Sequence, residues 1–421
     1  AAIDPAGAAK PEKKKLSLKL MAELERCYAG ACNHVHLSTG KGPDGIDVDA
    51  LAKFIYDNQD AQGVIHPDTY LETARQLVQG FSSGYGSGFT EDGIAEIRAK
   101  IQQNVYPFSA AKTLTQMEEM RGMLFKDGKL LSYSEFRRGI ENTGIKFNAT
   151  WLNAEYNLAV ASGQSAMRWD EAQSNSATYP NVTYRTAGDE RVRESHARLD
   201  GLTFSLADPI LKTIWPPNDW GCRCDMESSD APVSNVKVNA NIVPPLFRNN
   251  VGLTQVVYKD NHPYYKGNKG VLKNLSFENY NLKPLADIVR TKLAPAETPL
   301  AAKTAYNDWA KKALAGNDAF TLKTFDAPVT ITRETVKQVG AAEGGWPVTP
   351  NLAELLQNPS EAYQYKEGKN LHRTFIKHFS DKSIIATAEL KDKAWTLTDW
   401  FEADMQSGDE LRIGALLHKQ K

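Results

Sequence analysis

Tyr184–Gly201, Y-R-T-A-G-D-E-R-V-R-E-S-H-A-R-L-D-G, runs through twelve mostly apolar residues into Ile214–Cys224, I-W-P-P-N-D-W-G-C-R-C, and the reading of the chain turns on this span. It gathers Asp189, Arg191, Arg193, His196 and Asp200, a Pro216-Pro217 stop, and the pair Cys222 and Cys224. On a helical turn Asp189 and Arg193 stand four apart, as do His196 and Asp200, so ion pairs or a His–carboxylate hydrogen bond are expected. Cys222 and Cys224 offer two sulfurs from one loop, and a disulfide between cysteines this close would be strained. Zinc held by His196, Cys222, Cys224 and Asp200 is one chemically sound outcome. The alternative is that His196 orients a carboxylate and the thiols are simply buried. No general base is evident beside the cluster, which argues against an enzymatic zinc.

Upstream, from Leu16 to about Gln173, apolar residues recur at helical spacing: Leu18, Leu20, Met21, Leu24 and Tyr28, then Leu51, Phe54 and Ile55, then Leu71, Ala74, Leu77 and Val78. Asp49 and Thr90 stand where N-caps are expected. The last helix before the key span is the strongest, with Leu152, Tyr156, Ala159, Val160, Gly163, Ala166 and Met167 in one stripe and small residues keeping it slim. Pro180 then breaks the chain into the extended V-T-Y-R-T run. Gly84–Gly88, G-Y-G-S-G, follows no strand and reads as a flexible loop. Asp44, Asp47 and Asp49 lack the central Gly and terminal Glu of an EF-hand and read as a turn and a cap. Cys27, Cys32, His34 and His36 form C-x4-C-x-H-x-H, atoms zinc accepts, but no second pair follows at finger-like spacing.

At 421 residues the chain exceeds one ordinary core, so two to four domains are expected. A net charge of -1 supplies no global field toward nucleic acid or anionic membranes, leaving local patches to make any such contact. No apolar run reaches the roughly 18–20 residues that span a bilayer. The start, Ala1-Ala2-Ile3-Asp4, lacks the apolar core of a signal peptide, and a start without Met suggests either processing or a trimmed chain. Four cysteines make no disulfide framework, so a reducing compartment with free thiols is expected.

The ordered identities of the key span resemble the signature of the phage Mu F-like minor head proteins, the head-morphogenesis family of tailed phages. They are Tyr184, Arg185, Asp189, Arg191, Arg193, His196, Asp200 and Gly201, then Asp208-Pro209, then Pro216, Pro217 and the C-R-C corner. Leu152–Gly163, L-N-A-E-Y-N-L-A-V-A-S-G, is similar to a helix of that family; Phe247–Gly252 and His262–Tyr265 are similar to segments that follow it. The resemblance implies a protein of which a few copies associate with the portal and capsid proteins during assembly. It places the chain in the virion, in the capsid interior near the portal, and in the host cytoplasm during assembly, with packaged DNA as a further partner. It implies no reaction for this domain.

Beyond Lys273 the chain turns polar and rich in Lys, Ala and Pro, as in Ala294–Pro299, and reads as a linker with a helix around Ala305–Ala315. Strand patterns follow at Val329–Ile331, Ala362–Tyr365, His372–Phe379, Ser383–Leu390, Ala394–Trp400 and Leu411–Leu417, with one helix after Thr332 and another over Asn351–Gln357. The expected fold class is therefore α+β and multidomain. A basic arm covers 1–15, a mainly helical head domain 16–272, a linker 273–318, and a small α+β domain with an antiparallel sheet 319–421.

That order, with Leu355–Tyr363, Arg373–Lys377, Trp395–Phe401 and Arg412–Leu417, is similar to the barnase/EndoU/RelE-like nucleases fused to Mu F-like proteins of temperate phages. The resemblance implies metal-independent cleavage of RNA by a toxin-like module, with an immunity protein as partner. The chemistry needs a general base and acid, with cations and hydroxyls on the phosphate oxygens. His372 and His378 are the candidate acid/base groups. Arg373, Lys377 and Arg412 are candidate phosphate ligands, and Thr396 and Thr398 share a strand face. Relatives commonly carry a His on the first helix; here that helix reads E-T-V-K-Q, with Lys337 as the candidate replacement.

Overall fold

The computed structural model describes residues 18–29, 45–90, 94–288, 297–342, 344–380 and 382–421. The basic arm, Cys32, His34, His36 and Asp44 lie outside these residues. The helical half is built on α1 (Leu18–Tyr28), α2 (Val48–Asp57), α3 (Pro67–Tyr85), α4 (Ala95–Arg121) and α5 (Leu152–Ser174). Capping differs from expectation by a few residues. Asp47, not Asp49, accepts from the Ala50 amide at 2.9 Å, and Thr90 closes a short 3-10 turn while α4 begins at Ala95. Pro67 at the first position starts α3 sharply.

The glycine-rich stretch is no loose loop at its start. Gly84 lies inside α3, where a Cβ would overlap the Val160 carbonyl of α5, and a Cβ on Gly163 would overlap that of Phe81. Only hydrogen at both positions lets the two backbones touch, which brings the slim helix α5 against α3.

Buried beside this crossing is a polar network. The Lys112 ammonium lies 2.9 Å from one Glu155 carboxylate oxygen and donates to the Phe147 carbonyl at 2.8 Å. Tyr28 and Tyr264 donate to Glu155 at 2.5 and 3.0 Å, and Tyr258 to its backbone carbonyl at 2.8 Å. Tyr28 is stacked between Trp151 and Trp220, and its hydroxyl lies 3.2 Å from His262 Nε2. Burial pushes the Glu155 carboxyl up and the Lys112 ammonium down from their ordinary values. One pair thus ties together α1, α4, α5 and the segment around His262, and its charges are answered inside the chain.

The C-terminal strands are β4 (Ala319–Leu322), β5 (Val329–Thr332), β6 (Glu361–Glu367), β7 (Asn370–His378), β8 (Ser383–Lys391), β9 (Ala394–Ala403) and β10 (Ala415–Lys419), and those of the motif region are β1 (Asn181–Arg185), β2 (Thr203–Ser205) and β3 (Asp225–Ser229). They form a seven-stranded sheet in the order β10-β6-β7-β8-β9-β5-β4 and a three-stranded one in the order β2-β1-β3. The larger sheet is antiparallel except for the parallel pair β5–β9. Alternation sorts its faces. Leu371, Phe375, Ala386, Ala388, Trp395 and Leu397 meet Val336 and Val339 of α7 (Arg333–Ala341) and Leu352, Leu355 and Leu356 of α8 (Leu352–Gln357). On the other face Tyr363, Ile376 and Ile385 pack with Tyr70, Tyr106 and Tyr280.

The Tyr70 and Tyr106 hydroxyls donate to the Leu416 and Leu417 carbonyls, so the sheet edge sits on α3 and α4. The stretch read as a linker contributes to this packing. Leu275, Tyr280 and Leu285 are buried, and Tyr306 of α6 (Lys303–Leu314) donates to the Val336 carbonyl at 2.7 Å. The chain is thus α+β, helices first and a mostly antiparallel sheet after. Among the described residues no helix is long and apolar enough to cross a membrane.

Candidate functional site

Two polar assemblies stand out, one on the motif loops and one on the large sheet. Central strand β1 delivers the chain into loop 186–193, and the expected helical pairings do not form because only Glu194–Ala197 makes a helical turn. Asp189 instead receives the Arg223 fork at 2.6 and 2.8 Å and Arg191 at 3.2 Å, and the Arg223 guanidinium holds its carboxyl well below the usual range. Arg193 pairs with Asp219 at 3.0 Å and donates to the Trp220 carbonyl at 2.7 Å. Arg185 pairs with Glu227 at the surface. Pro216 offers its carbonyl to the Ser165 hydroxyl, and the Pro216-Pro217 bond is cis. Gly201 turns the chain back at φ +75.

These contacts staple loop 186–193 to loop 217–224 around His196. Its buried Nδ1 stands 3.7 Å from Cys222 Sγ and 3.5 Å from Cys224 Sγ, and the three ligand atoms lie within 4.8 Å of one another. Asp200 does not join them, for its carboxylate accepts from the Thr186 amide at 2.7 Å and hydroxyl at 3.0 Å. Hydrogen bonding from Cys224, then from His196, holds the Cys222 thiol below its ordinary value, while Cys222 raises that of Cys224. Cys27 points elsewhere: its sulfur is 3.8 Å from His262, and burial pushes its thiol up to about 12.

On the sheet, the three candidate phosphate ligands prove to be structural. Arg373 shares the apolar face with Leu371 and Phe375. It is buried, paired with Asp326 at 2.8 Å, bonded to Gln364 at 2.9 Å and laid over Trp395. Arg412 is buried against Glu361 at 2.6 Å and Asp409 at 2.9 Å, and Lys377 donates to the Asn358 carbonyl at 2.5 Å. His378 is buried with Nδ1 3.0 Å from the Ser383 hydroxyl. Lys337 is exposed on α7, the helix covering the apolar face, away from His372.

His372, Thr396 and Thr398 do come together, and they bring partners that the strand-by-strand reading missed. Tyr365, His372, Glu389 and Thr396 are successive cross-strand partners, one from each of β6 to β9. The Tyr365 and His372 rings stack at 5.2 Å. One step along, Thr374 faces Thr387, and a bulge in β9 leaves Thr398 as the extra residue, its hydroxyl 2.8 Å from that of Thr387. Glu389 accepts from Asn370 at 2.6 Å and pairs with Lys391 at 2.8 Å, which holds its carboxyl below the usual value. The His372 side chain stays 22% exposed. Around the row, the two hairpin ends present exposed Lys366, Lys369, Lys391 and Lys393. Hairpin arithmetic would have found Glu389: His372 and Tyr365 flank one tight turn, Glu389 and Thr396 the other.

Both assemblies lie within stretches that match known families. Residues 94–227 match the family described as phage Mu protein F like protein, and residues 310–419 match the phage-Barnase-EndoU-ColicinE5/D-RelE like nuclease2 family. The Mu-like prophage FluMu F protein of Haemophilus influenzae is 41% identical over 63 residues, 15% of each chain. The putative capsid assembly protein F of Escherichia phage Mu is 33% identical over 76 residues, 18% of this chain and 17% of its own. These alignments therefore span less than a fifth of either relative. No solved structure matches. The class is a region similar to phage Mu F-like proteins joined to a nuclease-like domain. Specifically, the chain carries a phage Mu F-like segment through its motif loops, followed by a barnase-EndoU-colicin-RelE-like nuclease domain.

Proposed function

We propose that the Mu F-like part acts in phage head assembly, with portal and capsid proteins as partners and packaged DNA nearby, and that the C-terminal domain cleaves RNA without a metal ion. The observation that carries the second half is the Tyr365–His372–Glu389–Thr396 row, half-exposed beside four lysines. Directly opposed side chains on neighbouring strands have Cβ atoms roughly 5 Å apart, a span that one phosphodiester fills. Glu389, ionised, takes the 2′-hydroxyl proton as that oxygen attacks the phosphorus. His372, as imidazolium, gives a proton to the departing 5′-oxygen, leaving a 2′,3′-cyclic phosphate. The Thr396 hydroxyl and the hairpin lysines offset the growing charge on the phosphate oxygens, while Thr398 and Thr387 bond each other and hold the bulge beside them. Tyr365 beside His372 offers a face on which a base can stack.

Full-length protein incubated with single-stranded RNA in chelator is expected to release fragments ending in cyclic phosphate, and His372→Ala and Glu389→Gln to stop it. Intact RNA, or equal cleavage by both variants, would sink the enzymatic half and leave an inert module on a head protein. The assembly half is tested separately, by mass spectrometry of purified particles: absence of the chain from them defeats it. In the enzymatic reading a small acidic immunity protein binds the domain and shields the row.

A further inference from the structure

The junction of the two motif loops takes no part in the RNA chemistry above, and its atoms are arranged for a different ligand. We propose that His196, Cys222 and Cys224 bind one zinc ion, which locks loop 186–193 to loop 217–224.

The distances suit the ion. Zinc holds thiolate at about 2.3 Å and imidazole nitrogen at about 2.0–2.1 Å in tetrahedral geometry, which puts sulfur and nitrogen about 3.6 Å apart. Both sulfurs stand at that separation from the same atom, at 3.7 and 3.5 Å from His196 Nδ1. Hydrogen bonding alone explains this poorly, since the ring nitrogen has one in-plane lone pair or one N–H and serves one sulfur well. Two sulfurs converging on it is the arrangement a shared cation makes.

The ring is 3% exposed, and its Nε2 is a buried atom without a hydrogen-bond partner among the described residues. No hydrogen bond among the described residues holds the imidazole on that side, so its polar contacts are those of Nδ1. The loop is also prepared independently of any ion. Arg223, between the two cysteines, is drawn outward by Asp189, and Arg193 pins Asp219. Cys222 and Cys224 are thereby left facing inward together.

A recess of about 10 Å3, lined by Ala187, Arg193 and Gly221, opens beside the ligands and gives the fourth position room for one water. Its described lining holds no carboxylate and no second imidazole, so no general base stands by such a water. The ion is structural, a clamp that joins the Arg193–Asp219 and Arg223–Asp189 pairs in holding the two loops together.

The test uses the full chain. Purified protein supplied with zinc is expected to hold one equivalent, to take up cobalt in its place with thiolate-to-cobalt absorption, and to lose both in Cys222→Ser/Cys224→Ser while Cys27→Ser keeps them. Because the double variant can fail to fold, alkylation of the unaltered chain is mapped in parallel: Cys222 and Cys224 should be protected until chelator is added. A chain that binds no zinc overturns the proposal. So does zinc retained in the double variant, equal alkylation with and without chelator, or a disulfide between the two cysteines in the freshly purified protein.

Discussion

Lys112–Glu155 in the helical half and His372–Glu389 on the sheet each set a nitrogen base beside a carboxylate, yet one is sealed and the other is open. Glu155 is fully buried, and two tyrosines and one ammonium answer its carboxylate. His372 keeps part of its ring in solvent, stacked on Tyr365 with lysines at the rim. A buried carboxylate already paired with an ammonium is closed to substrate, and removing its partner leaves a bare charge in a dry interior. A half-exposed group has the reverse balance: its loss costs little structure and all of its chemistry.

The largest expected effect follows from the open side. His372→Ala should lower RNA cleavage by about 10²–10⁴-fold, the usual contribution of a positioned acid or base, while the denaturation midpoint stays near that of the parent chain. A large loss of stability would mean that the row is sealed like the helical network. On the closed side, Glu155→Leu should destabilise the chain by about 3–5 kcal/mol in chemical denaturation, and adding Lys112→Met should recover much of that. Failure of the second change to help would show that the tyrosines, not the pair, dominate.

A smaller effect concerns acid. Burial, aided by Lys112, lowers the His262 pKa to about 3, below the ordinary 6.5. The unfolded chain therefore binds this proton before the folded one does, so stability rises with pH between about 3 and 6.5. Going from pH 7 to pH 5 should remove about 2 kcal/mol through this group, and His262→Gln should flatten that part of the profile. The smallest effect is expected from Asp189→Asn. Its partners Arg191 and Arg223 are solvated, so the melting midpoint should barely move at high salt.

Much of this was readable from residue order. Strand alternation located the large sheet apart from β4, with the last strand starting four residues later than Leu411, and helical spacing located α1 to α3 and α5 to α8 but not the short helix Met405–Glu410. Alternation also held unused information: Arg373 has the parity of Leu371 and Phe375, hence the apolar face, whereas His372 has the parity of Thr374. The cations chosen as phosphate ligands failed on partners distant in sequence. Asp326 lies on a loop 47 positions from Arg373, and Glu361 lies 51 from Arg412. The Gly84 crossing was likewise invisible until α3 and α5 were seen to touch.

The sequence by itself determined which elements form and which side chains share a strand face, because those follow from local periodicity and turn chemistry. It also placed the Asp, Arg, His and Cys groups on two neighbouring loops. Only tertiary structure decided which polar groups are spent and which are free. Burial and pairing depend on what another segment brings, as Asp326 does for Arg373 and Thr186 does for Asp200, and no local pattern encodes the identity of a distant neighbour.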